Sequence, residues 1–136
     1  MENIFWIMSQ ILENLKYTKD HEWVKKLENG HYQMGITDYA QSSLGDIVYV
    51  DMPGEGSDLK QGSSIGTIES VKAVSDIYSP MDGSVVSKNE TIGEDPVAVN
   101  EDPYNTGWLL EFQASGEAQW NGLLSAAQYK ELLDAH

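Results

Sequence analysis

Short β-branched segments separated by turn residues fill the middle of the chain and restrict its fold more than any other feature. Through residues 46–99, apolar residues recur in short runs that Gly, Pro, Asp or Asn interrupts every several positions. The clearest run, residues 46–52, ends at Pro53-Gly54. Such spacing is typical of a small sandwich or barrel, so a mainly β fold is expected. The predicted strand positions extend to Ile92, Val97 and Val99.

Local signals predict further strands on either side of this region. Residues 22–27 and 32–36 flank Asn29-Gly30, which is the strongest short hairpin signal. Both turn residues tolerate the positive φ of a type I′ turn, so two antiparallel strands are expected here. Near the other end, residues 100–108 are rich in turn formers and are predicted to form a loop. Residues 108–113 are predicted to form the last strand.

Two helices are predicted, one early and one at the C-terminus. Thr37 suits the N-cap of a short helix that ends at Leu44, and Gly45 suits the position after that end. Near the C-terminus, Ser125 and Gln128 have the spacing of a capping box, and Leu and Tyr residues follow at helical spacing. We expect this second helix to pack on the sheet rather than to bind a partner.

The composition indicates one folded domain and excludes several functions. The chain has 136 residues, 40% of them hydrophobic, and a formal net charge of -14. Neither nucleic acid nor a membrane is expected as a partner, because phosphate groups would be repelled. The absence of cysteine excludes disulfides and thiolate catalysis. We expect residues 15–136 to form the domain, residues 1–14 to form an N-terminal extension, and the protein to be cytoplasmic, because no signal or transit peptide is recognisable.

No motif for catalysis or metal binding is present. The His21-Glu22 pair has no nucleophile or oxyanion motif beside it. The glycines of Gly62-Ser-Ser-Ile-Gly66 are not followed by the Lys-Ser/Thr of a phosphate-binding loop. Metal-ligand spacing is absent among the histidines, which are His21, His31 and His136.

Lys72 lies at the centre of a predicted hairpin turn. Alternating apolar residues stop before residues 69–73, and β-branched residues resume after them, so this stretch has the length of a hairpin connection. A Schiff-base role would require a neutral amine, whereas Glu69 and Asp76 nearby favour the charged form. An exposed, protonated lysine suits acylation by another enzyme.

The sequence Glu69-Ser70-Val71-Lys72-Ala73-Val74-Ser75-Asp76 resembles the lipoylation site of the glycine cleavage system H protein family. A biotin carrier has Met on both sides of its lysine, and the lipoyl domains of 2-oxoacid dehydrogenases lack the His-Glu-Trp start and both helices. The resemblance covers the chain from about residue 15 to its end, and only the N-terminal segment departs from it. Further motifs in the family's order are Tyr17-x-x-x-His21-Glu22-Trp23, Gly35-Ile36-Thr37-Asp38-x-Ala40-Gln41-x-x-Leu44-Gly45 and Val99-Asn100-x-x-Pro103-Tyr104-x-x-Gly107-Trp108.

The resemblance implies a barrel-sandwich hybrid fold and a non-catalytic carrier. It implies (R)-lipoate in amide linkage to Lys72, attached by a lipoate ligase or by an octanoyl or lipoyl transferase. The lipoyl group would accept the aminomethyl unit of glycine from the pyridoxal-phosphate-dependent glycine decarboxylase (P protein). It would then pass that unit to tetrahydrofolate on the aminomethyltransferase (T protein) and be reoxidised by dihydrolipoamide dehydrogenase (L protein). The other site residues are expected to be Glu22, Glu69, Val71, Ala73, Ser75 and Asp76.

Two questions stay open at this point, namely the function of the protein and the position of the loaded arm. One alternative function is a lipoate-relay protein that resembles the H protein, and another is an unmodified β-rich interaction module. The second question concerns the loaded arm, which we expect to fold back into a cleft lined by Glu22 and Asp76. Trp23 and Tyr78 are then expected to supply apolar surface beside these acids. The alternative is that both acids only cap turns.

Overall fold

The computed structural model describes residues 9–135, in which nine β-strands form two antiparallel sheets. In spatial order, the six-stranded sheet contains β1 (Lys16–Tyr17), β2 (Glu22–Lys26), β3 (Tyr32–Ile36), β9 (Leu110–Ala114), β8 (Gly83–Lys88) and β5 (Asp58–Leu59). The three-stranded sheet contains β4 (Ile47–Asp51), β6 (Ser64–Ser70) and β7 (Val74–Tyr78). The mainly β prediction is confirmed.

Five helices accompany the sheets in the described part of the chain. They are α1 (Asp38–Leu44), α2 (Glu90–Glu94), α3 (Val97–Glu101), α4 (Ala118–Asn121) and α5 (Ala126–Asp134). The early helix is confirmed, and the Thr37 side chain accepts from the Ala40 N–H at its start. The C-terminal helix is also confirmed, including the capping box between Ser125 and Gln128.

The strand prediction near residue 95 is wrong. Ile92 lies in α2, and Val97 and Val99 lie in α3. Asn89 caps α2 by accepting from the Thr91 N–H at 3.1 Å. The predicted loop of residues 100–108 is wrong at its first two residues, which end α3. Each helix has only five residues, too few for a helical period to be distinguished from strand alternation.

The predicted hairpin joins β2 to β3, but its turn is not type I′. In the connection only Gly30 has a positive φ, of 88°, whereas a type I′ turn requires two such residues. The Gly30 N–H donates to the Leu27 carbonyl at 3.1 Å, and the Leu27 N–H donates to the His31 carbonyl at 2.8 Å. The Asn29 side chain accepts from the His31 N–H at 2.9 Å. Asn29 therefore closes the turn with its side chain.

Two buried clusters hold the elements together. One lies between the sheets and includes Met34, Ile68 and Phe112. The other joins α5 to the start of the chain, and there the rings of Tyr17 and Tyr129 stack with centroids 4.6 Å apart. The C-terminal helix therefore packs on the protein, as predicted.

Part of the N-terminal expectation cannot be compared with the structure. Residues 1–8 of the proposed extension lie outside the described residues, and so does His136. Across residues 9–135, none of the helices combines the length and apolar character that crossing a bilayer requires.

Gly66→Ala should destabilise the three-stranded sheet, because β6 approaches β4 closely at residue 66, where the pairing of β6 with β7 is also irregular. A Cβ on residue 66 would lie 2.3 Å from the Asp51 carbonyl oxygen. We expect the free energy of unfolding to fall by about 2 kcal/mol in urea denaturation. Gly54→Ala is the matched control, since its Cβ would meet no atom within 4 Å. Equal effects of the two substitutions would contradict the close approach.

Candidate functional site

The turn that carries Lys72 is organised by Ser70. The Ser70 N–H donates to the Ala73 carbonyl at 2.8 Å, which closes the turn between β6 and β7. The Ser70 hydroxyl accepts from the Lys72 N–H at 3.3 Å and from the Ala73 N–H at 3.1 Å. Ser70 was not among the predicted site residues. The signal was available, because serine side chains commonly bond to backbone groups two or three residues ahead.

Lys72 is exposed at the tip of this turn. Within residues 9–135, no carboxylate oxygen lies within 4.0 Å of its Nζ, in contrast to Lys130, which pairs with Asp134 at 3.0 Å. The Lys72 Cε lies 3.7 Å from the position that a Cβ on Gly45 would occupy. The lysine stem therefore passes over the end of α1, within van der Waals distance of where a side chain at residue 45 would begin.

A cavity of about 280 Å³ lies between α1, the start of β2 and the β6–β7 hairpin. It contains three of the predicted site residues in its lining, Glu22, Ser75 and Asp76. Leu44 also lines it, and Leu44 directly precedes the glycine over which the Lys72 stem passes. The end of α1 is thus shared by the lysine stem and the cavity.

Glu22 is a buried acid at this cavity, with 2% of its surface exposed. Its Oε1 accepts from the Thr18 hydroxyl at 2.6 Å, and its Oε2 accepts from the Tyr78 N–H at 3.2 Å. Burial raises the pKa of the Glu22 carboxyl to about 7; the hydrogen bonds from Thr18 and Tyr78 oppose this shift, and the nearby Asp20 adds to it. Glu22 therefore stabilises the turn that begins at Thr18, in agreement with the alternative that it caps a turn. It also connects β2 to β7.

Asp76 is exposed and lies within a strand. It pairs across the sheet with Thr67, and its Oδ1 accepts from the Ser64 hydroxyl at 3.1 Å. The alternative in which this acid caps a turn is therefore wrong for Asp76. The two acids differ, since one is buried in the cavity wall and the other is open to water.

The apolar wall of the cavity is not the one expected from the sequence. Neither Trp23 nor Tyr78 lines it. Trp23 is fully buried on the side of α5, and its Nε1 donates to the Pro103 carbonyl at 3.0 Å. The apolar lining instead consists of Ile36, Tyr39, Ala40, Leu44, Ile68 and Ile77.

His21 and its neighbours shape the cavity and were not predicted to belong to it. His21 has a φ of 69°, in the left-handed region, where non-glycine residues are uncommon. Its Nδ1 lies 2.8 Å from the Tyr129 hydroxyl, and its ring centroid lies 4.8 Å from that of Tyr39. The Tyr129 hydroxyl also lies 2.7 Å from the Thr37 hydroxyl. The C-terminal helix therefore holds this wall in position.

The remaining predicted residues stay outside the cavity. Glu69, Val71 and Ala73 surround the lysine at the turn and do not line the cavity. Val71 is 69% exposed and Val74 is 67% exposed, so apolar side chains flank the lysine in water.

Comparison with known proteins gives consistent matches over almost the whole chain. The family model described as glycine cleavage H-protein matches residues 15–136. The chain is 47% identical over 127 residues to the glycine cleavage system H protein of Carboxydothermus hydrogenoformans, covering 93% of this chain and 97% of that protein. It is 49% identical over 122 residues to that of Listeria monocytogenes serotype 4a, covering 90% of this chain and 97% of that protein.

A solved structure agrees with these matches. The crystal structure of a glycine cleavage system H protein from Mycobacterium marinum aligns with a TM-score of 0.80 at 36% identity. The alignment covers 89% of this chain and 97% of that one. The fold expected from the resemblance is thereby confirmed.

Glu22→Gln should change the pH dependence of stability. The folded protein keeps the Glu22 proton up to about pH 7, whereas the unfolded chain releases it near 4.5. The stability from this group is therefore complete below pH 4.5 and lost as the pH rises through about 7. The unfolding free energy of Glu22→Gln minus that of the wild type should rise by about 2 kcal/mol between about pH 5 and about pH 8.

Chemical denaturation at several pH values measures this difference. The control is Glu69→Gln, which removes one charge from the same acidic protein at an exposed position. A difference that stays constant with pH for Glu22→Gln would contradict the raised pKa of Glu22.

Proposed function

The chain belongs to the glycine cleavage H-protein family, and from that premise we propose that Lys72 carries a lipoyl group. Proteins of this family are carrier subunits of the glycine cleavage system and not catalysts. The observation that carries the proposal is the exposure of Lys72 on a turn that Ser70 organises from within the hairpin. An acylating enzyme can reach such an amine without displacing a partner, because no carboxylate pairs with its Nζ within residues 9–135.

The attached group is (R)-lipoate, and it supplies the disulfide chemistry that a chain without cysteine lacks. The protein itself supplies position and reach. Lys72 supplies the amine for the amide bond, and its stem passes close to Gly45 beside the cavity. The exposed Val71 and Ala73 keep both sides of the attachment point open.

The cavity beside α1 receives the free end of the arm in this proposal. Of the three acids that line it, Asp20, Glu22 and Asp76, the last two bind the cationic amine which the arm carries. Asp76 lies within reach of water, whereas Glu22 lies in the buried wall. Apolar side chains such as Ile68 and Ile77 limit the access of water to that amine. Ser75 adds a hydroxyl to the same lining.

The protein thus carries the aminomethyl group of glycine from glycine decarboxylase (P protein) to the aminomethyltransferase (T protein). Dihydrolipoamide dehydrogenase (L protein) is the third partner, and a lipoate ligase or an octanoyl or lipoyl transferase attaches the cofactor. The net charge of -14 favours partners with basic docking surfaces. In this proposal residues 15–136 form the carrier domain, residues 1–14 extend it, and the protein works in the cytoplasm.

Lys72→Arg should abolish lipoylation and glycine cleavage while leaving the fold intact. Arginine keeps the positive charge but offers no amine that forms the same stable amide. Incubation with a lipoate ligase, ATP and lipoate, followed by intact mass and peptide mapping, measures the modification. Lys60→Arg, at another exposed lysine, is the matched control and should be modified like the wild type. Lipoate found on Lys60 or Lys88 in the wild type would refute the assignment.

Glu22→Gln and Asp76→Asn should each accelerate spontaneous ammonia release from the purified loaded protein. Each substitution keeps the side-chain shape and removes a carboxylate from the cavity lining. We expect release to become faster by about tenfold, which corresponds to the loss of a charge-assisted contact. Glu69→Gln, an acid outside the cavity, should release ammonia at the wild-type rate. Wild-type rates in both cavity variants would exclude a protective role of these acids.

A further inference from the structure

The Lys72 turn meets the segment between α1 and β4 at its first residue, next to the point where Ser70 of β6 pairs with Ile47 of β4. Within the described residues, the Val71 N–H donates to the Asp46 carbonyl at 3.0 Å, and this is the one hydrogen bond from residues 71–73 to a group outside the hairpin. The other turn amides bond to Ser70. The position of the turn over α1 therefore depends on where Asp46 and Ile47 are held.

Both neighbours of Asp46 are held by the side chain of Asn100. The Ile47 N–H donates to Asn100 Oδ1 at 2.9 Å, and Asn100 Nδ2 donates to the Gly45 carbonyl at 2.8 Å. Asn100 Nδ2 also donates to Gln41 Oε1 at 3.0 Å, and Gln41 lies in the last turn of α1. One side chain thus fixes the segment from the end of α1 to the start of β4.

Asn100 can do this because its own backbone is anchored in the core. It lies in α3, in which Ala98 and Val99 are buried between the sheets. The core is therefore connected through Asn100 to Gly45 and Ile47, and Asp46 between them bonds to Val71, the residue before the lysine.

We propose that Asn100 is a positioning residue for the modification of Lys72, since it fixes residues 45–47, which support the lysine turn. The inference rests on the proposed lipoylation of Lys72. The role requires an acceptor for Ile47 and a donor for Gly45 and Gln41 in one short side chain, which asparagine supplies. Aspartate has the same shape but would place a second oxygen against the two acceptors.

Asn89 provides a matched control for the stability that such bonds contribute. Its Oδ1 accepts from the Thr91 N–H at 3.1 Å, and its Nδ2 donates to the carbonyls of Thr106 at 2.9 Å and Trp108 at 2.8 Å. Asn89→Asp therefore loses the same kinds of bond as Asn100→Asp. None of the Asn89 bonds reaches the segment under the turn.

The first measurement is the kcat/KM of a lipoate ligase, with ATP and lipoate, for each unmodified protein. Asn100→Asp should lower kcat/KM about tenfold, because a displaced reacting group loses productive geometry. Asn89→Asp should match the wild type even where urea denaturation shows that it is equally destabilised. Asn100→Ala removes the same bonds without a charge, and it replaces Asn100→Asp if that variant does not fold.

The second measurement is hydrogen exchange of the Val71 amide by NMR. Exchange should accelerate about tenfold in the Asn100 variant and stay at the wild-type rate in Asn89→Asp. Wild-type values of both kcat/KM and exchange in the Asn100 variant would overturn the proposal, and so would equal losses in the Asn89 variant. If the ligase does not modify wild-type Lys72, the proposed function fails, whereas the exchange rates still decide whether Asn100 holds the turn.

Discussion

The presentation of Lys72 depends on the hydroxyl of Ser70. A lysine that another enzyme is to modify, as proposed for Lys72, has to project into water, yet an exposed turn loses the packing that would fix its backbone. Ser70 resolves this conflict because it is buried while the residues after it are exposed. Its hydroxyl accepts hydrogen bonds from two amides of the turn, and its N–H closes the turn by donating to the Ala73 carbonyl. Each such bond contributes about 1 kcal/mol, so Ser70 stabilises the shape of the turn from within the hairpin.

The same hairpin connects this exposed tip to a buried acid. β7 begins after the lysine turn and ends at Tyr78, whose N–H donates to Glu22. Because burial raises the pKa of Glu22 to about 7, its carboxyl holds a proton for part of the time near neutral pH. A cation entering the cavity favours the ionised form and lowers that pKa. Under the proposed function, binding of the amine at this wall is therefore coupled to the release of a proton from Glu22.

The sequence predicts local structure well where a side chain acts on its own neighbourhood. The cap at Thr37, the capping box at Ser125 and the lysine hairpin all follow from residue types at short spacing. α2 and α3 escape detection because five residues do not establish a helical period. The wrong assignment of Trp23 to the cavity has a simpler cause. Trp23 follows Glu22 in β2, and consecutive residues of a strand point to opposite faces of the sheet.

The cavity and the support of the turn by residues 45–47 cannot be predicted from the spacing of residues in the sequence, because residues far apart in the chain form them. Asn100 follows Gln41 and Gly45 by more than 50 positions, yet it bonds to both. Gly45 has a φ of 83°, which suits the end of α1, and the Lys72 stem passes close to it. Three motifs that look independent in the sequence thus meet under one turn. A chain with only the residues around Lys72 would have the amine but not the supporting segment that positions it.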